Sequence, residues 1–235
     1  MSTHLASETT DYAVVEREPP ELLARNLRTG GQLWSSGTIF FFVGFLFAFF
    51  YLRILNNAHL WRPKDVKPPL GLGTGILVAI VLSVGVSWLA LRERRAAGLA
   101  LPLDQARLKA WRLRGVLALT LGLIAVVLQG VEYTTLGFGP SSGGYASVFV
   151  GWTGLYALFV LGAMFWLETL VATSFRYRKR SGVDAGEGAG DSYRSGHDVE
   201  DPLALVLPGL EAFFFFWVVL AFIGVVTYIL LYAVR

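Results

Sequence analysis

Three carboxyl groups, Glu132, Glu168 and Glu211, fall in stretches that are otherwise almost wholly apolar. A carboxylate in hydrocarbon costs about 2.5 to 3.5 kcal/mol on insertion scales, so each calls for a partner or a task. Gln129 precedes Glu132 by three residues, which puts the two on one helical face, one turn apart. Moving protons across a membrane would need a chain of such groups from side to side. The pattern instead predicts Glu132 near the outer end of its segment and Glu168 and Glu211 near the inner ends of theirs, with nothing ionisable between. Hydrogen bonding between packed helices is therefore favoured over proton conduction.

Other chemistries find no support. There is no cysteine, and the three histidines, His4, His59 and His197, lie in polar segments. Haem or copper inside a bilayer needs imidazole, thiolate or thioether ligands, and Met164 alone offers one within an apolar stretch. The chain is poorly equipped to carry an intramembrane redox metal by itself. Serines and threonines such as Ser83, Ser87, Thr120 and Thr153 lack His and carboxylate companions placed for nucleophilic catalysis. The run Gly71-Leu72-Gly73-Thr74-Gly75 has no Lys-Ser/Thr after it and no strand before it, so it is not a phosphate loop.

The elements that must position these groups follow from composition. The 235 residues are 54% apolar and 16% charged, against about 45 to 50% and about 25% in soluble domains. Five stretches are long enough to cross a hydrocarbon core of roughly 30 Å. They predict an all-α integral membrane bundle of five transmembrane helices, at 33–55, 70–91, 113–133, 145–172 and 205–234. A cytoplasmic N-terminal segment, 1–32, precedes the 33–235 bundle and lacks the apolar core of a signal peptide. A flexible cytoplasmic loop is expected over 173–204, where the Gly, Ser and Asp of 181–200 read as a linker.

Fifteen of the twenty Lys and Arg residues fall on one side of this topology: the N-terminal segment, the 92–114 connection and the loop after span four. Basic residues mark the cytoplasmic side, so the N-terminus is expected inside and the C-terminus outside. The net charge of +3 and pI near 9.3 therefore belong to lipid headgroups and helix ends, not to nucleic acid. Residues 92–114 read either as a short amphipathic helix along the interface or as an ordinary basic loop. Trp34, Trp61, Trp88 and Trp111 lie near the expected interfaces, and Trp152, Trp166 and Trp217 deeper. The phenylalanine clusters of spans one and five read as lipid-facing or packing surface before a lipid cleft or gas path.

From pattern alone, a bundle without metal ligands, nucleotide site or continuous charge path fits an accessory subunit better than a self-sufficient enzyme. The sequence also resembles a family, subunit III of the haem-copper terminal oxidases of the cytochrome c oxidase type, over about Gln32 to Tyr232. Leu121-Gly122 followed by Gln129-Gly130-Val131-Glu132-Tyr133 is similar to the family's Leu-Gly and Gln-x-x-Glu-Tyr. Tyr145-Ala146-Ser147-Val148-Phe149 and Thr153-Gly154-Leu155, with Val160-Leu161-Gly162, resemble its Gly-Ser-x-Phe and Thr-Gly-Phe-His-x-x-His segment, with Tyr156 and Phe159 at the histidine positions. Trp34-Ser35-Ser36-Gly37 parallels its Trp-x-Ser-Glu, with Gly37 where the glutamate is expected. Glu211, Trp217 and Tyr232 keep the family spacing in span five, while Val218 and Ala221 replace its His and Asp.

The resemblance implies the family's shorter, five-helix form in a bacterial cytoplasmic membrane. It implies a noncatalytic subunit that stabilises the catalytic one and holds phospholipid. Haem and copper are expected in a partner, subunit I, with subunit II as a further partner. Lipid- or helix-contact roles carry over to Gln129, Glu132, Tyr133, Glu211 and Trp217. The missing glutamate at Gly37 argues against a part in proton entry. The depleted markers also leave an accessory subunit of a nitric oxide reductase or another respiratory complex as an alternative. A stand-alone transporter ranks last, since neither an internal repeat nor a matched pair of interrupted helices occurs.

Overall fold

The computed structural model describes residues 20–55, 61–63, 65–98, 105–183 and 205–233. Among them run five long helices: α1 Pro20–Ile54, α2 Leu70–Gly98, α3 Gln105–Thr135, α4 Gly144–Val183 and α5 Val206–Tyr228, the last continued by a π turn, Ile229–Ala233. All five are long and apolar enough to cross a membrane. Their outward residues, Phe40, Phe47, Phe165 and Phe222 among them, are large, apolar and exposed, which suits lipid as the surrounding solvent.

The helix starts follow local chemistry. Pro20 occupies the first position of α1, where its missing N–H is no loss, and Glu21 sits in the first turn. Pro68 and Pro69 precede α2, and the Pro69 carbonyl accepts from the N–H of Gly73 at 3.1 Å. Between α3 and α4, a 3-10 turn, Pro140–Ser142, leads into Gly143, whose φ of 140° is a conformation that L side chains rarely adopt. The N–H of Tyr145 then donates to Trp61 O at 2.9 Å, tying the start of α4 to the segment after α1.

Around the bundle the order is α1, α5, α2, α3, α4, with α1 closing against α4 and with α4 meeting α5 across the middle. The centre is aromatic. Trp111, Trp152, Trp217, Phe149, Phe213 and Tyr145 are fully buried, and Phe213 stacks on Trp217 at 6.2 Å between centroids. Where α1 and α5 cross, a Cβ on Gly31 would come within 2.9 Å of the Ala212 Cβ, so the backbones approach only because residue 31 has no side chain.

Several boundaries differ from those predicted. Residues 20–32 of the expected N-terminal segment and 173–183 of the expected loop are helical, because apolar composition marks the part of a helix inside lipid, not the whole helix. Of the 92–114 stretch, the described residues 92–98 and 105–114 continue α2 and α3 as their charged ends, where Glu93 accepts from Arg114 at 2.6 Å and lies 3.7 Å from Arg107. Leu108 and Trp111 face the bundle and are buried. The rest of the expected N-terminal segment and linker, and His4, His59 and His197, lie outside the described residues.

Candidate functional site

Among the described residues the most strongly buried carboxyl sits away from the basic helix ends. Glu132 is 0% exposed and Gln129 only 3%, and the amide Nε2 of Gln129 donates to Glu132 Oε2 at 2.5 Å. Their spacing on α3 makes this contact possible, as one helical turn brings i and i+3 together. A third group completes the arrangement. Tyr232, from the π turn, donates its hydroxyl to both Glu132 oxygens, at 2.9 and 2.8 Å. Its ring lies against Gly73 of α2, so closely that a Cβ there would overlap it, and stacks on Tyr228 at 5.6 Å. Tyr228 in turn meets Thr74 at 2.8 Å. One carboxyl thus joins α3 to the end of α5, and the tyrosine that reaches it rests on α2.

The wider or π-type last turn of α5 has a visible use. It directs the Leu231 carbonyl at the Tyr145 hydroxyl of α4, which donates to it, while the Arg62 guanidinium lies 4.5 Å from the Tyr145 ring centre. Tyr133, next in sequence to Glu132, does not join the carboxyl. It meets Thr153 of α4 at 2.7 Å. This end of the bundle therefore carries polar contacts among α2, α3, α4 and α5.

At the basic end, Glu211 is clamped from two sides. Arg28 of α1 binds Oε2 at 2.7 Å, and Arg95 of α2 binds Oε1 at 3.0 Å. Nearby, Arg112 of α3 donates to the Ser174 carbonyl of α4 at 2.5 Å. Trp217 is 0% exposed and donates from Nε1 to Ser83 Oγ at 3.2 Å, while Ser83 donates to the Ala118 carbonyl of α3 at 2.7 Å, which links α5, α2 and α3.

Glu168 is exposed, in a groove lined by Leu119, Leu123, Leu161 and Phe165. Leu170 packs against Gly209 and Trp166 against Phe213, so Glu168 and Glu211 share one level. Glu132 lies at the other, since Gly115 of α3 faces Val171 of α4 and the helix rise from there to Glu132 is roughly 25 Å. Among the described residues no Asp, Glu, Lys, Arg or His lies between the two levels within the helices, and no three His, Asp or Glu converge to hold a metal ion. What the polar groups do is bind helices to one another.

A cleft of about 860 Å3 opens towards the basic end between α1 and α4, floored by Phe216 of α5 and walled by Leu27, Trp34, Leu158 and Trp166. Further along α1 and α4, Phe42 meets Trp152 at 6.3 Å and Tyr156 at 6.1 Å. Two of the replaced family positions lie here. Gly37, with open space where a Cβ would stand, and Phe159 border the cleft region, and Tyr156 donates to the Leu220 carbonyl of α5 at 3.0 Å.

Arg28, Arg95, Tyr232 and Arg112 are the partners that sequence reasoning did not single out as site residues. For the arginines the available signal was their place at helix ends opposite unpaired acids. For Tyr232 it was its spacing from Glu211 and Trp217.

Comparison with known proteins gives a consistent family. The model of cytochrome c oxidase subunit III matches residues 18–199. Among curated proteins, cytochrome c oxidase subunit 3 of Lemur catta is 31% identical over 144 residues, covering 60% of this chain and 50% of that protein. Subunit 3 of Didelphis virginiana is 30% identical over 159 residues, 66% and 54% of the two chains. That of Artemia franciscana is 34% identical over 141 residues, 57% and 50%. The chain spans about half the length of the curated relatives it matches. The family match ends before α5, so the places of Glu211, Trp217 and Tyr232 rest on the structure alone.

Proposed function

Because this chain belongs to the cytochrome c oxidase subunit III family, we propose that it is a noncatalytic accessory subunit of a haem-copper terminal oxidase in aerobic electron transport. In this reading it packs beside subunit I, with subunit II as a further neighbour, stabilises the catalytic subunit and holds phospholipid. Haem and copper reside in the partner.

The observation that carries the reading is the use made of polarity. The acids Glu93, Glu132 and Glu211 each bind partners within the chain, so these groups act as fasteners. An apolar cleft of about 860 Å3 suits an acyl chain with its headgroup at the membrane surface. The Lys and Arg bias supports a topology with the basic end in the cytoplasm of a bacterial cell and the Glu132 end outside.

Purifying the tagged full chain from its native membrane tests this. A co-purifying subunit with a haem-copper spectrum that consumes oxygen is the expected result. A partner that reduces nitric oxide alone supports the alternative accessory role, and a chain free of any haem-copper subunit overturns both. Native mass spectrometry of the same preparation reads retained phospholipid.

A further inference from the structure

At the meeting point of α2, α3, α4 and α5 lies a cavity of about 20 Å3, bordered by the polar side chains of Gln129, Thr153, Tyr156, Thr227, Tyr228 and Tyr232 and by apolar residues of α2. That is room for one water-sized guest. What the guest must be follows from hydrogen bookkeeping.

A hydroxyl has one hydrogen and two lone pairs. Around this cavity every hydroxyl hydrogen is engaged elsewhere. Thr153 donates to Phe149 O at 2.7 Å and Thr227 to Ile223 O at 2.7 Å. Tyr156 donates to Leu220 O, and Tyr232 to Glu132. Thr74 gives its hydrogen to Leu70 O at 2.8 Å, which leaves Tyr228 as the donor to Thr74. The hydroxyls therefore keep lone pairs to offer, not hydrogens. Gln129 adds to the surplus. Its Nε2 serves Glu132, and among the described residues no donor reaches its carboxamide oxygen.

Gln129 is buried as a residue and borders the cavity. An amide oxygen so placed that finds no donor costs up to about 3 kcal/mol in mutational terms, and an apolar gas atom in the cavity would leave it so. A water molecule brings two hydrogens to a wall rich in acceptors. We propose that this cavity binds a single structural water, which donates to Gln129 Oε1 and to a threonine hydroxyl oxygen of α4 or α5. Such a water extends the Gln129–Glu132–Tyr232 cluster to Thr153 of α4 or Thr227 of α5 and makes the Glu132 end of the bundle a hydrated joint. It also means that this cavity is not a station for dioxygen.

The test is a cryo-electron microscopy map of the full chain in lipid nanodiscs, alone or with its complex, at a resolution where ordered waters appear elsewhere in the protein. The expected result is a density peak about 2.7 to 3.2 Å from Gln129 Oε1, lost in Gln129→Met. A wild-type map without that peak, or a peak that persists in Gln129→Met, overturns the proposal. Should the variant fail to fold, xenon pressurisation of wild-type crystals decides the matter: the proposal expects no xenon at this site, and xenon there refutes it.

Discussion

Replacing Tyr232 by Phe removes one oxygen and little else, which makes it a clean probe of the Glu132 cluster. The ring would keep its stacking on Tyr228, its edge contact with Phe149 at 5.4 Å and its seat on Gly73. The hydroxyl contacts both carboxyl oxygens, at 2.9 and 2.8 Å, but carries one hydrogen, so it counts as a single shared hydrogen bond. Hydrogen bonds to charged acceptors contribute about 1.5 to 3 kcal/mol in soluble proteins, whereas interhelical ones in membranes average about 0.6 and reach about 1.7. Because Glu132 is fully buried and keeps only Gln129 after the change, Tyr232→Phe is expected near the top of the membrane range, about 1 to 1.7 kcal/mol. That is roughly a five- to eighteen-fold loss in the folding equilibrium. Reversible unfolding in mixed micelles, followed by far-ultraviolet circular dichroism, measures it. A cycle with Glu132→Met, which leaves no oxygen to accept, isolates the pair, and the two changes should be non-additive by more than about 0.5 kcal/mol. If Tyr232→Phe costs under about 0.3 kcal/mol and the two substitutions add, the carboxyl does not lock α5 to α3 and the reasoning fails.

Gly73→Ala places a methyl where the Tyr232 ring lies, and a ring held at both its face and its hydroxyl has little room to move. The same unfolding assay should show a loss of about 1 to 3 kcal/mol. At the basic end, Arg28→Gln and Arg95→Gln each remove one arm from Glu211. Both guanidinium groups are more than half exposed, so each change should cost under about 1 kcal/mol, with the loss shrinking as salt is raised. Gly162 borders the cleft and has open space where a Cβ would stand. Gly162→Leu should leave the unfolding midpoint within experimental error of wild type while reducing retained phospholipid in native mass spectrometry; unchanged lipid would count against the cleft as its binding place.

The helices were legible because hydrocarbon imposes length and polarity together, and few other solutions satisfy 54% apolar residues. Gln129 and Glu132 could be paired from spacing alone, since a helix turn is a local fact. Their third member could not. Tyr232 is 100 residues from Glu132, and a tyrosine near the end of an apolar segment reads first as an interfacial ring. Glu211 shows the same limit, with partners 183 and 116 residues away. The acid announces that it needs cations, but which arginines supply them depends on the order of helices around the bundle. The misplaced helix ends have a different cause: apolar composition marks only the part of a helix inside lipid. Leu108 and Trp111 are buried against the bundle, and sequence cannot tell an apolar face turned to lipid from one turned to a neighbouring helix.

The position of α1 also bears on how the chain is assembled. Its close contacts are with α5, through Gly31 against Ala212, Trp34 beside Phe216 and Arg28 on Glu211, and with α4, through Phe42 on Trp152. The earliest of the five helices to leave the ribosome thus docks on the two made last. Until α5 has been made α1 must wait in the bilayer without its seat, so a nascent chain halted before α5 should leave it open to capture by insertion chaperones or to membrane proteolysis.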